Sequence, residues 1–219
     1  MGVAERRERE REERRNRILD AAERVFFDTS PVEATMDDVA AAAELSKGTL
    51  YLYFKSKDDL YLAIAHRGLS LLVGRMQETV AQGAQRTGFE LLEQISAHNR
   101  RFGREHPEHL KSMLAWMASG FRASPDSPGF AEYQALVSNL FRIVVGIIER
   151  GKTDGSIRPD VNALEAVMHL WGGTMGVWML YFSRAEVSNR VPMLYDFERL
   201  VPSFQETFLR ALKNTEGES

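Results

Sequence analysis

From Ile18 to Leu212 the apolar side chains of this chain recur at intervals of three and four, and no segment sustains the alternation of β-branched residues that a half-buried strand requires. Prolines leave room for long helices: none lies between Pro31 and Pro107, and the others are Pro125, Pro128, Pro159, Pro192 and Pro202. The expected fold class is all-α, without an internal repeat. Ile18, Leu19, Ala22, Val25 and Phe26 mark a first helix ending near Phe27, broken by Thr29, Ser30 and Pro31. Thr35 with Asp38 three residues on reads as an N-cap and capping-box pair opening a short helix to Ala43. Ser46 caps another that reaches Phe54, and Ser56 with Asp58 and Asp59 opens a longer helix toward Val80.

Further helices are expected from Gly88 through Phe102, from Pro107 as a first helical residue, and from Phe130 to Gly151 after a Ser124 to Gly129 loop. Between Asp160 and Ser183 the pattern is apolar nearly all round, with Leu164, Val167, Met168 and Met179 on one side and Leu170, Gly173, Val177 and Tyr181 on another. Such a helix is buried on both sides. It belongs either to the centre of a bundle or between its own core and a partner subunit. In the last helix, Phe197, Leu200, Phe204, Phe208 and Leu212 share a face, and Pro202 is expected to kink or divide it.

Two short helices joined by a tight turn make a helix-turn-helix candidate. Composition alone does not announce a DNA partner, because 28 Lys and Arg stand against 31 Asp and Glu, a net charge of -3. The segment Ser46 to Lys57 is different: it has three Lys and no acid, and with Leu50 turned inward, Leu52 points almost directly away from the core. An exposed leucine among Tyr51, Tyr53 and lysines suits a DNA face better than a solvated one. Thr35, Met36, Ser46, Thr49, Tyr51, Tyr53, Lys55 and Lys57 are expected phosphate-side contacts, Lys47 and Leu52 base-edge contacts, and Gly48 a point of close backbone approach. The Glu5 to Arg17 arm, with seven Arg and five Glu, reads as a solvated helix laced with i to i+4 pairs, or as an arm whose arginines reach DNA.

Ile18-Leu19-Asp20-Ala21-Ala22 with Phe26, Ala34-Thr35-Met36-Asp37-Asp38-Val39-Ala40, Leu45-Ser46-Lys47-Gly48-Thr49-Leu50-Tyr51 and Tyr53-Phe54-Lys55-Ser56-Lys57-Asp58-Asp59-Leu60 together resemble the TetR (tetracycline-repressor-like) family of bacterial transcription regulators. The resemblance covers roughly residues 15 to 62. It implies a three-helix N-terminal DNA-binding domain, placed here at residues 1–62, and a larger helical effector and dimerisation domain at 63–219. It also implies operator release on ligand binding. The family usually carries Gly where this chain has Glu44, and a Gly-aromatic pair near Thr29 to Val32.

Nothing in the second part matches a motif. Met113, Trp116, Met117, Phe121, Phe141, Trp171, Met175 and Trp178 are expected to line a pocket for an apolar or flat aromatic effector, and ordinary core is the plainer reading of any one of them. Leu170, Val177, Tyr181, Phe204 and Phe208 are the expected homodimer contacts, in a four-helix bundle of the last two helices of each subunit.

Other classes find less support. Zero cysteines remove disulfides, thiolate metal sites and cysteine nucleophiles, and no HExxH or nucleophile elbow occurs. No cofactor, metal or catalytic residue is therefore expected. His106 and His109 beside Glu105 and Glu108 read as a surface helix start, and His169 as a core or interface histidine. Arg and Glu alternate where a signal peptide would be apolar, and the longest uncharged apolar run, Leu170 to Phe182, is 13 residues. A cytoplasmic protein without a membrane partner is expected. The alternative is a helical small-molecule carrier or enzyme with an incidental helix-turn-helix.

Overall fold

A computed structural model of the chain describes residues 2–29, 33–118, 128–184 and 196–215. Among them every regular element is helical: α1 (Val3–Asp28), α2 (Met36–Ala42), α3 (Lys47–Tyr53), α4 (Lys57–Gln82), α5 (Gly88–Glu105), α6 (Pro107–Ala118), α7 (Pro128–Asp154), α8 (Ala163–Phe182), a 3-10 turn (Phe197–Arg199) and α9 (Leu200–Leu212).

The three expected caps set the register of the N-terminal unit. Thr35 Oγ1 accepts from Asp38 N at 3.2 Å while Asp38 Oδ2 accepts from Thr35 N at 2.9 Å. Ser46 Oγ accepts from Thr49 N at 3.2 Å, and Ser56 Oγ from Asp59 N at 3.0 Å. Ile18, Ala22, Phe26, Val39, Leu50, Phe54 and Leu60 close the core between α1, α2, α3 and the start of α4. Met36 belongs to this core too, only 8% exposed, which removes its side chain from the expected DNA contacts.

The turn between α2 and α3 is a Schellman motif. Leu45 N donates to Ala40 O at 2.9 Å, Glu44 N donates to Ala41 O at 3.1 Å, and Glu44 sits at φ 56°. The family's glycine position is thus occupied by a residue with a Cβ in the left-handed region, a conformation that costs an L-residue roughly 1 kcal/mol. Glu44→Gly should raise the unfolding free energy by about 0.5 to 1 kcal/mol in urea titrations. A less stable variant would show that this turn does not carry that strain.

The acidic and basic residues of the arm form one solvated helix, with Arg6 Nε 2.8 Å from Glu10 Oε1 and Arg9 Nε 3.6 Å from Glu13 Oε1. Both are i to i+4 pairs of the kind its spacing predicts. The expected boundary at residue 62 falls inside α4, which runs uninterrupted from the helix-turn-helix into the second part, where α5, α6 and α7 pack on it. The loop expected at Ser124 to Gly129 lies largely outside the described residues, and α7 begins at Pro128. By length and composition an 18-residue stretch within Gly129–Asp154 is apolar enough to cross a bilayer, a property hidden from a count of uncharged runs because charged residues such as Arg142 interrupt the helix. Here it packs along α4 and α5.

Pro202 neither kinks nor splits the last helix. It is the third residue of α9, where an amide N–H has no intrahelical acceptor and the ring costs nothing. The preceding turn is 3-10, and it holds Phe197. The end of α9 is tied to the turn after α7, with Arg158 N donating to Leu212 O at 3.0 Å and Asn214 N to Ser156 O at 3.2 Å.

Candidate functional site

Leu52 is 72% exposed near the end of α3, and Tyr51 beside it is 36% exposed. Leu50 and Phe54, on the opposite side, are buried. The helix therefore divides as its spacing predicts. Gly48 is exposed, and a Cβ there would meet nothing closer than Ser46 Oγ at 4.0 Å. Packing within the chain does not demand this glycine, which fits a residue kept small for something outside it.

The polar residues around Leu52 are partly committed. Thr35 Oγ1 donates to Asp38 Oδ2 at 2.7 Å, so its hydroxyl proton serves the cap, and this hydrogen bond holds the Asp38 carboxyl below its ordinary pKa. Ser46 and Thr49 share a hydroxyl hydrogen bond of 2.8 Å. Lys47 Nζ lies 2.7 Å from Asp37 Oδ1, which raises the lysine pKa. Both partners are more than half exposed, and such a pair is weak enough to be exchanged for a phosphate or base. Lys57 Nζ donates to Ala34 O at 3.1 Å, joining the start of α4 to the approach to α2. Lys55, exposed, donates to Tyr51 O at 3.3 Å, and Tyr53 is half-buried.

A second feature lies in the other half. A cavity of about 400 Å³ opens between α4, α5, α6, α7, α8 and α9. Its walls are Leu69, Leu72 and Met76, then Ile95, Met113, Trp116 and Met117, then Phe130, Tyr133, Val137, Leu140, Phe141 and Val144, with Val167, Leu170, Trp171 and Met175 opposite. Trp116 meets Tyr133 edge-on at 6.1 Å, and Phe141 meets Trp171 at 5.5 Å. Six of the expected lining residues are here: Met113, Trp116, Met117, Phe141, Trp171 and Met175. Phe121 lies outside the described residues. Trp178 does not line the cavity. Its indole packs over Gly103 and stacks on Phe182 at 5.5 Å, a helix-helix contact that only Gly103 leaves room for.

Periodicity did not single out the polar part of the wall, Ser96, Asn99, Thr174 and Gln205. The ionisable group facing the cavity is the Tyr133 phenol, which burial pushes up to about 12 and so keeps neutral.

Besides α4 itself, His109 and Arg67 tie the halves together. His109, at the start of α6, is not a surface residue: its Nε2 is 3.2 Å from Glu23 Oε1 on α1, and its ring packs on Gly68 and edge-on to Phe27. Arg67 of α4 lies 2.7 Å from Asp20 Oδ1 and 3.1 Å from Glu23 Oε1. The helix carrying Met113, Trp116 and Met117 is thus hydrogen-bonded to the first helix of the N-terminal unit.

The expected dimer contacts are mostly used within the chain. Leu170 lines the cavity, Phe204 fills the space above Gly173, and Tyr181 Oη donates to Glu198 Oε1 at 2.9 Å. Val177 and Phe208 are half-buried against the core. The outward side of α8 instead carries Leu164 at 59%, Met168 at 47%, Met179 at 48% and Leu180 at 47% exposure, with His169 exposed beside them.

Residues 18–64 match the family model described as bacterial regulatory proteins, tetR family. Residues 18–64 thus carry a TetR-family N-terminal domain. Among the chain's relatives, the transcriptional activator FasR of Mycolicibacterium smegmatis is 41% identical over 70 residues, 32% of each chain. The transcriptional repressor KstR2 of the same organism is 27% identical over 150 residues, 68% of this chain and 70% of its own. The crystal structure of FadR from Bacillus subtilis in complex with stearoyl-CoA superposes with a TM-score of 0.66 at 19% identity, covering 90% of this chain and 98% of that one. The FasR match is confined to about a third of that protein. The family match therefore lies in the N-terminal unit, and the second half shares its fold with the FadR structure.

Proposed function

We propose that this chain is a TetR-family transcriptional repressor that binds a pseudo-palindromic operator as a homodimer and leaves it when an apolar or aromatic effector enters the cavity. The observation that carries the DNA side is Leu52, mostly exposed in the last turn of α3, between Lys47 and Lys55, while the other side of the helix is buried. KstR2, aligned over 68% of the chain, is named a repressor, which supports that direction of control. A cytoplasmic site of action goes with this reading.

In the dimer, two copies of α3 would sit about 34 to 36 Å apart, or a multiple, to meet successive major grooves. The effector acts by population shift: it binds more tightly to the arrangement that cannot span two grooves. The path is physical. Effector against Trp116 and Met117 bears on α6, and α6 pulls on α1 through His109 and Glu23. Effector against Leu69, Leu72 and Met76 bears on α4, whose first residue, Lys57, holds the Ala34 carbonyl.

Leu52→Ala tests the base-reading role and Lys55→Ala the phosphate role. Lys57 is a poorer probe because its loss also frees Ala34 O. Selection from randomised duplexes should return a changed consensus for Leu52→Ala. Lys55→Ala should weaken binding on all sequences and lower the slope of log affinity against log salt by about 1. Retention of both consensus and salt slope would remove α3 as the reading helix.

A further inference from the structure

The polar wall of the cavity is oriented by two groups that can only donate. Trp178 Nε1 donates to Asn99 Oδ1 at 3.2 Å, and Arg100 Nη1 donates to Gln205 Oε1 at 2.7 Å. With both acceptor oxygens fixed, Gln205 Nε2 must donate to Asn99 Oδ1, at 3.3 Å. The Asn99 oxygen is thus filled twice, and what the amide has left to offer is N–H. In the same cavity wall, Thr174 is 4% exposed and its Oγ1 has no hydrogen-bond partner among the described residues. A buried hydroxyl left unpaired is costly, and removing a partner from a buried polar group costs more than never having supplied it. Apart from this wall and the Tyr133 hydroxyl, the lining is apolar.

We propose that the effector is an uncharged, mainly apolar molecule bearing one acceptor oxygen, a carbonyl or hydroxyl, that seats on Thr174 Oγ1–H and the Asn99 amide. This deepens the reading of the cavity as the effector site and rests on it. A carboxylate fits poorly: it would be buried among neutral donors, with the neighbouring cation, Arg100, already bonded to Gln205. A pure hydrocarbon fills the cavity and leaves Thr174 unpaired.

Three probes of one shape separate the cases: acetylnaphthalene, ethylnaphthalene and naphthoate, substituted at the same ring position and titrated by calorimetry into the full-length protein. The ketone should bind about tenfold tighter than the ethyl compound, one hydrogen bond's worth. The carboxylate should bind weakest. Thr174→Val, close in shape and without the hydroxyl, should narrow the preference for the ketone over the ethyl compound several-fold, the Asn99 amide keeping the remainder. Thr174→Ser, which restores the hydroxyl, should recover most of the difference. Equal binding of ketone and ethyl compound, or an unchanged preference in Thr174→Val, overturns the acceptor-oxygen proposal while leaving the cavity as a binding site. Tightest binding by naphthoate overturns the requirement for an uncharged ligand. Failure of all three probes to bind counts against the effector cavity itself.

Discussion

Replacing Met168 and Met179 together by glutamate is expected to give a folded monomer that has lost operator binding by two orders of magnitude or more. The two methionines lie eleven residues apart on α8, which returns them to nearly the same side of the helix three turns on, and both are about half exposed, at 47% and 48%. Methionines with this much open surface, flanked by Leu164 and Leu180, form a stripe that water covers poorly. Across a two-fold axis the same stripe meets itself, so the double variant places four carboxylates in one contact. Each buried, unpaired charge costs several kcal/mol, more than the packing of a methionine returns. Because both positions face outward in the single chain, folding should be unaffected, and circular dichroism checks this. A monomer reaches one half-site at a time and forfeits the gain from linking two, a factor of about 100 to 10,000. Analytical ultracentrifugation and fluorescence anisotropy on the operator measure the two effects. A variant that sediments as a dimer and binds normally would place the interface elsewhere.

Gly88→Ala should be the most destabilising small substitution in the second half, by about 3 kcal/mol in chemical denaturation. Most overpacked positions are relieved by rotating a side chain. This one is not: a Cβ at residue 88 would overlap the backbone of Gly151 and lie 2.6 Å from Ile147 O. The α5 N-terminus is pinned from the same side, with Gly88 N donating to Asp154 Oδ2 at 2.7 Å and Phe89 N to Ser156 Oγ at 3.1 Å. An alanine must push α5 away from α7, breaking those bonds and opening the cavity wall that both helices share. An unfolding midpoint equal to that of the unsubstituted protein would show that the two helices do not cross this closely.

What could be read before any coordinates was local. Three hydroxyl caps lie within a span of 22 residues, at Thr35, Ser46 and Ser56, and each begins a helix where expected. The outward direction of Leu52 followed from setting Leu50 inward, because positions two apart on a helix differ by about 200°. Other residues were misplaced for one shared reason: periodicity tells which side of a helix is apolar but not what fills the space beside it. Met36 looked available at a helix start and is held by the core of its own domain. Trp178 belonged to a plausible aromatic stripe, and Gly103, 75 positions earlier, decides that the indole is packed rather than lining. His109 looked like a surface histidine until Glu23, 86 residues away in sequence, was brought to it.

Residues within four positions of one another determine the helices, their caps and the Schellman turn at Glu44, since hydrogen bonds of that reach form whatever the rest of the chain does. The run from Ser46 to Lys57, with three lysines and no acid, is likewise plain in the sequence. Which side of α8 is used up inside the subunit is different. Leu170, Thr174 and Met175 face the cavity because α4 to α7 stand around it, and Met168 and Met179 stay outside because no helix of this chain covers them among the described residues. The donor wall at Asn99 required Trp178 of α8 and Gln205 of α9 to meet Asn99 and Arg100 of α5. Burial and hydrogen-bond direction at such points are set by neighbours distant in sequence, and only the packed chain supplies them.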